Sequence, residues 1–468
     1  MTQKLPETAA ATIGTFIAHH PNTHPAEAVA FARRAFLDTV GCMLLGAERP
    51  ATRFALEAVA PWGEGDKPII GTTRNLPAPW AALVNGTSAH ALDFDDWEDP
   101  GITHASASLV PAILAQATPD MPASVLFDAY LVGLEVIMRI GEAVNMTHYE
   151  LGWHTTNTLS VMGCAAACAR LRGLDARASM NAVSLSTSMM GGFTSQFGTT
   201  TKPMHAGLAA KSGVVAAQIA ATGATAQAAV MESGAGFLNA MTKCSSGELA
   251  ERLALLGKPL SVLHLGMHNK KYPSCSCTHL VLEGCMILRE EHGLKPEDIA
   301  HVEGCISDIA FSVLPYGVPE SGNEGLFSVP WCAAAALVDG KVTIETFSEA
   351  SIRREDLRAL AARVSVTQHP RFPGLAFHED HPDITRITLV SGEVLEQPIA
   401  FPIGGPRRPL SNEELAEKFH ACAGSQISRE SAEATCALLL GQATDWRLSE
   451  LTSLVTHDAE QAKPMARV

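Results

Sequence analysis

Two histidines, His90 and His104, bracket Asp93, Asp95, Asp96, Glu98 and Asp99 in the stretch H-A-L-D-F-D-D-W-E-D-P-G-I-T-H. Five carboxylates this close repel one another, and in a solvated turn they make an ordinary acidic loop. Folded into a cleft, the same repulsion together with burial drives their pKa values apart, which acid–base chemistry requires. Three further spots carry groups that could meet this turn. G-W-H-T-T places His154 just before a helix, T-K-P-M-H-A-G places Lys202 at a helix start, and K-K-Y-P-S-C-S-C-T-H covers residues 270–279.

Lys202 is the most informative of these. Pro203 marks the first helical position, which puts Lys202 at the N-cap, where the helix dipole opposes its charge. Moved toward neutrality it acts as a base. Kept protonated it pairs with a substrate carboxylate beside free backbone N–H groups. The bland reading is a solvated lysine, and for His104 and His154 a polar cap residue. Taken together they are less bland, because proton transfer needs neighbouring groups of different pKa. His90, Asp93, Asp95 and Asp96 also admit a metal reading. Cys275, Cys277 and His279 form no closed zinc set, and small buried thiols explain the cysteines better than a nucleophile does. There is no G-x-S-x-G, Walker A or Rossmann motif, so hydrolase, P-loop and nicotinamide chemistry have no support.

Helices have to position these groups. Val29, Ala32, Phe36, Val40 and Leu44 follow three- and four-residue spacing, predicting a helix over 24–47. Further helices are predicted over 77–90, with His90 at a C-terminus favouring the protonated imidazole, and from 105 with a bend at Pro111. More follow over 123–144, 155–171, 175–190 and from Pro203. The density of Ala and Gly implies closely packed helices in layers. From about residue 265 the character changes. H-V-E-G-C-I-S-D-I, R-V-S-V-T and T-R-I-T-L-V alternate as strands, the last with a Ser391-Gly392 hairpin, and helices over 279–292 and 351–363 lie between. At Ser411 and Glu414 a capping box restores the helical style. The fold class is therefore mainly α with an α+β lid: helical residues 1–265 and 405–468, formed by both chain ends, with an inserted α+β segment over 266–404.

The bulk properties exclude several functions. The net charge of −15, with no Lys/Arg-dense tract, argues against nucleic acid as a partner. An odd set of 11 cysteines fits a reducing compartment. The N-terminus lacks the regions of an export signal, and the apolar windows are interrupted by Asp128, Glu135 and Arg139. A cytoplasmic protein without membrane partners is expected.

N-G-T-S-A-H-A-L-D-F-D-D, H-A-S-A-S-L-V-P-A, G-W-H-T-T, T-K-P-M-H-A-G, K-Y-P-S-C and F-S-V-P-W-C-A-A-A-A-L-V-D-G, in that order, resemble the MmgE/PrpD family. That family includes 2-methylcitrate dehydratase, cis-aconitate decarboxylase and iminodisuccinate epimerase. The resemblance covers nearly the whole chain. It implies a homodimer of two-domain subunits working without metal or organic cofactor on a small polycarboxylate, with proton transfer at a carbon next to a carboxylate. By motif position it makes Asp93, His104, His154 and Lys202 catalytic, with Lys202 and His104 as the proton-transfer pair and Asp93 tuning a histidine. Asp95, Asp96 and Glu98 are left to cap helices and shape the turn. Decarboxylating relatives place a Thr, a His and a Tyr where this chain has Trp97, Cys275 and Phe311. With Lys271, these are the expected substrate-binding residues. The proton-handling set is kept and the substrate-defining set is not. This favours a hydratase/dehydratase-type lyase on a different di- or tricarboxylate, with epimerisation of an amino- or imino-dicarboxylate or decarboxylation of a cis-aconitate-like acid as alternatives.

Overall fold

A computed structural model describes residues 4–369, 377–424 and 426–456. The outermost parts of the expected helical domain, 1–3 and 457–468, lie outside the described residues. Helices dominate, in two groups with separate cores.

The larger group is built around Ala26–Gly46, Ala78–Ala89, Ala105–Gln116, the 22-residue Ala123–Val144, Ser160–Leu171 and Thr201–Ala221. The small residues act where helices nearly touch. A Cβ on Gly86 would lie 2.7 Å from Gly207 Cα, and one on Gly207 would lie 2.1 Å from the Leu83 carbonyl oxygen. The Ala78–Ala89 and Thr201–Ala221 helices thus cross backbone to backbone, bringing His90 and the turn after it up to Lys202. Buried polar residues inside Ala123–Val144 are satisfied locally: Glu135 accepts from Arg139 Nε at 2.8 Å and from the Ser261 N–H at 2.6 Å. No helix among the described residues is long and apolar enough to cross a membrane.

The C-terminal helices Asn412–Ala423 and Arg429–Leu440 pack on Ala26–Gly46, and the Ser411–Glu414 capping box opens the first of them. Phe419 sits against Gly41, and Lys418 pairs with buried Asp38 at 2.6 Å. The chain returns to the helical body at its end.

The smaller group holds a four-stranded sheet in the order Val364–Gln368, Ile299–Ile306, Asp383–Leu389, Val394–Ile399. The first pair is parallel and the others antiparallel. The hairpin turn carries Gly392 at φ 89°, where a side chain would be strained. His279–His292 and Val329–Val338 cover one face, burying Val281, Val302, Val329 and Ile387.

Several predicted elements are shorter than the periodicity suggested. The 155–171 helix is two, Thr155–Thr158 and Ser160–Leu171. The 175–190 helix is Ala176–Ser186 followed by a 3-10 turn, and the 351–363 helix contracts to Glu355–Ala361 after a single turn, Glu349–Ile352. The strand through Ile306 stops because Ser307 caps a new helix, Asp308–Val313. The helix bearing Lys202 starts at Thr201, with Thr200 as N-cap. Pro203 is tolerated as its third residue because first-turn N–H groups have no intrahelical acceptor.

Candidate active site

A cavity of about 50 Å³ lies between the two groups, and Asp93, His104, His154, Lys202, Trp97 and Cys275 all line it, along with Lys270. Local chain geometry puts them there. His90 ends the Ala78–Ala89 helix, and the chain then turns sharply with Asp93 at φ 53°, a left-handed conformation that Asp tolerates better than most residues. His104 and His154 each occupy the N-cap position of the next helix, so both side chains stand at helix starts facing the turn.

Four of the five carboxylates of the turn divide into two charge states. Asp93 is the anionic centre. Its Oδ1 accepts from Lys202 Nζ in a short contact and its Oδ2 lies 3.0 Å from Lys270 Nζ, which also donates to the Asp93 backbone carbonyl at 2.6 Å. Burial opposes its ionisation, but the two ammonium groups, with His104 and His90, outweigh burial and hold the carboxyl far below the usual carboxylate range. Asp95 accepts from His90 Nδ1 at 2.9 Å and from His104 Nδ1 at 2.9 Å, and these imidazoles offset its burial in the same way. Asp96 and Glu98 have no cationic partner as close. Burial pushes both well above the usual range, with Asp38 adding to the effect at Asp96. Asp96 accepts from Ser106 Oγ at 2.7 Å, and Glu98 from the Gly101 N–H at 2.7 Å.

Asp95 orients both histidines through their Nδ1 atoms, whereas Asp93 binds the lysines and acts on His104 by its charge, from 3.5 Å. Asp96 and Glu98 hold the shape of the turn.

The imidazoles are held neutral. Burial lowers His104 despite the pull of Asp95, and lowers His90 to about 4, so its helix C-terminus does not keep it protonated as expected. With the His104 Nδ1 proton committed to Asp95, the lone pair is on Nε2, 3.5 Å from Asp93 Oδ1. His154 pairs Nδ1 to Nδ1 with His205 at 2.8 Å. Burial, then His205 and Lys202, lowers it well below the usual imidazole value. The Lys202 ammonium also lies 5.1 and 4.9 Å from the ring centroids of Phe197 and Phe327. The charge it faces most closely is Asp93, not the helix terminus.

Among the expected substrate-binding residues, Trp97 is buried and stacks on His268 with centroids 4.1 Å apart. Its indole N–H has no hydrogen-bond partner among the described residues. Cys275 is lowered by a hydrogen bond from Cys277, which outweighs burial, while Cys277 is raised. Phe311 does not reach the cavity: it is 44% exposed. Ile309 and Val313 of the same helix line the cavity instead, four residues apart on one face, with Phe311 on the other. Lys271 is turned outward to Glu414 at 3.4 Å, and Lys270 takes the inward place. A Lys-Lys dipeptide carries no signal saying which member is buried. His205, in T-K-P-M-H-A-G, went unassigned although it lies one helical turn from Lys202.

His90, Asp93, Asp95 and His104 offer ligand atoms within 4.8 Å of one another, close enough to hold a metal ion. The donor chemistry fits poorly. Asp93 is neutralised by two lysines, and Asp95 receives two imidazole protons that a dication would have to displace.

Two family models match the chain: the MmgE/PrpD N-terminal domain over residues 11–249 and the MmgE/PrpD C-terminal domain over residues 272–441. Among curated proteins, the cis-aconitate decarboxylase of Homo sapiens is 29% identical over 423 residues, covering 86% of this chain and 85% of the relative. That of Mus musculus is 30% identical over 373 residues, 76% of this chain and 74% of the relative. The Aspergillus terreus protein of the same name is 26% identical over 446 residues, 89% of each.

Proposed function

The chain belongs to the MmgE/PrpD family, and on that premise we propose that it is a lyase acting on a small di- or tricarboxylate by proton transfer at a carbon next to a carboxylate. One observation carries this reading: His104, its Nδ1 proton anchored on Asp95, aims a bare Nε2 at the place where Lys202 and Lys270 concentrate positive charge. His104 Nε2 removes the proton. Negative charge then developing on the neighbouring carboxylate is met by the two ammonium groups, preorganised by Asp93. His154, neutral and on the cavity wall, gives a proton to a departing hydroxyl, which completes a dehydration, or takes one in the hydration direction. No step calls on a metal or organic cofactor. The indole N–H of Trp97, unpartnered among the described residues, and the thiol of Cys275 set which acid is accepted.

Decarboxylation is the second reading, favoured by the cis-aconitate decarboxylases that align over most of both chains. Carbon dioxide then leaves first, and the same donors return a proton to carbon. Proton NMR of cis-aconitate, citrate and 2-methylcitrate incubated with the enzyme separates the two, since loss of water and loss of carbon dioxide give different products. No turnover of any panel member contradicts both. We also read the enzyme as a cytoplasmic homodimer. All 11 cysteines are free, which suits a reducing compartment, and exposed Phe54 and Trp62 offer apolar surface to a second copy.

A further inference from the structure

We propose that His205 is a proton-relay partner of His154, sharing one proton between the two Nδ1 atoms so that His154 Nε2 can serve as either acid or base; this rests on the role given to His154 above. A contact of 2.8 Å between two imidazole Nδ1 atoms requires one to donate and the other to accept. Burial first, then neighbouring cationic and imidazole groups, keeps both rings neutral, with His205 lowered to about 4. The pair therefore has two forms. When His205 Nδ1 carries the shared proton, His154 carries its own on Nε2 and faces the cavity as an acid. When His154 Nδ1 carries it, His154 Nε2 is bare and faces the cavity as a base.

The forms interconvert with balanced protons. As the N–H bond at His154 Nε2 breaks and its proton passes to substrate, the His205 Nδ1 proton moves to His154 Nδ1. In the same concerted step His205 Nε2 takes a proton from a solvent acid, hydronium or buffer, so neither ring is left as an imidazolate and one proton has passed from solvent to substrate. The reverse order removes a proton from substrate.

The surroundings suit this. His154 is fixed by its backbone N–H, which donates to the Gly192 carbonyl at 3.1 Å, and by the edge of Phe197. Gly192 also covers His205. At φ 90° it has no side chain, and a Cβ there would lie 3.0 Å from His205 Nε2, so glycine leaves room beside the nitrogen that takes the solvent proton. His205 does not line the cavity. It is a positioning residue that acts through His154.

Nitrogen-15 histidine spectra of the intact protein test the relay without any substrate. The relay predicts Nδ1 shifts for His154 and His205 that are both intermediate between protonated and bare. One fully protonated and one fully bare Nδ1 overturn it. With cis-aconitate as probe, His205→Asn keeps a donor for His154 Nδ1 but cannot pass a proton onward. The expected result is kcat lowered about 100-fold with KM within about twofold, and a proton inventory that changes from curved to linear. Wild-type kcat in the variant, or a lowered kcat with an unchanged curved inventory, contradicts the relay. If the wild-type enzyme leaves cis-aconitate untouched, decarboxylation of that acid fails as a reading, and the spectra alone decide the relay.

Discussion

Asp95 receives two imidazole protons and Asp93 two ammonium groups, so removing either carboxylate has a distinct outcome. Asp95→Asn leaves an acceptor oxygen but adds a donor facing His90 and His104, turning one ring to the wrong tautomer. A kcat loss of about 10²–10⁴-fold with the fold intact is expected from steady-state kinetics and circular dichroism. Lys202→Met removes one of the two cations on Asp93 and should abolish measurable turnover while Lys270 still holds the turn. The types and order of the site residues were legible in the sequence, because His90–His104, G-W-H-T-T and T-K-P-M-H-A-G are compact motifs. Which carboxylate serves which partner was not. Asp93 and Asp95 are both short acids two residues apart, and only the left-handed turn at Asp93 decides where each one points. Phe311 failed for a related reason: its position relied on alignment, and helical phase turned it outward.

Helix crossings hold those residues in reach of one another. One near the site joins Ala78–Ala89 to Thr201–Ala221 at Gly86 and Gly207, and Gly207→Ala would drive a methyl into the Leu83 carbonyl at 2.1 Å. Overpacking of this kind costs about 1–3 kcal/mol, to be read from urea unfolding. The shift should also separate Lys202 from Asp93 and lower kcat. Helix existence followed from apolar spacing, and Ala123–Val144 matched its expected limits. Helix ends did not follow as well. At the early stop, the Ser186 and Thr187 hydroxyls donate to the Val183 and Ser184 carbonyls, and at the break between Thr158 and Ser160 the Thr158 hydroxyl meets His148 Nε2 at 2.7 Å; periodicity encodes neither.

Across the whole molecule, two separate cores meet at the cavity, with Met267 packed into the larger and Phe197 into the smaller. At about 50 Å³ the cavity holds a few waters at most, well short of the roughly 300 Å³ of small-molecule sites. A polycarboxylate entering the cavity is expected to move its lining side chains apart. Tyr316, whose hydroxyl donates to the Phe197 carbonyl at 3.0 Å, holds the segment leading to the Lys202 helix against the smaller core, where the Phe197 ring is packed. Tyr316→Phe should alter KM several-fold while leaving kcat near wild type. Two histidines contribute a pH dependence of definite sign. His90 and His205 fall from 6.5 to about 4 on folding, so at these sites the unfolded chain binds protons first as pH drops. Their contribution is present above pH 6.5 and lost toward pH 4, by about 3 kcal/mol for His90 at full extent, while the raised carboxyls of Asp96 and Glu98 act in the opposite sense. The fall in urea midpoint from pH 7.5 to pH 5 should therefore be smaller in His205→Asn than in wild type.

The central claim is that His104 moves a proton at a carbon beside a carboxylate. Proton NMR of cis-aconitate, citrate and 2-methylcitrate in deuterated buffer reads this directly. The account predicts that wild-type enzyme places deuterium on such a carbon of at least one of these acids or its product, and that His104→Gln does not. Equal incorporation by the variant, or none by the wild type, would contradict it.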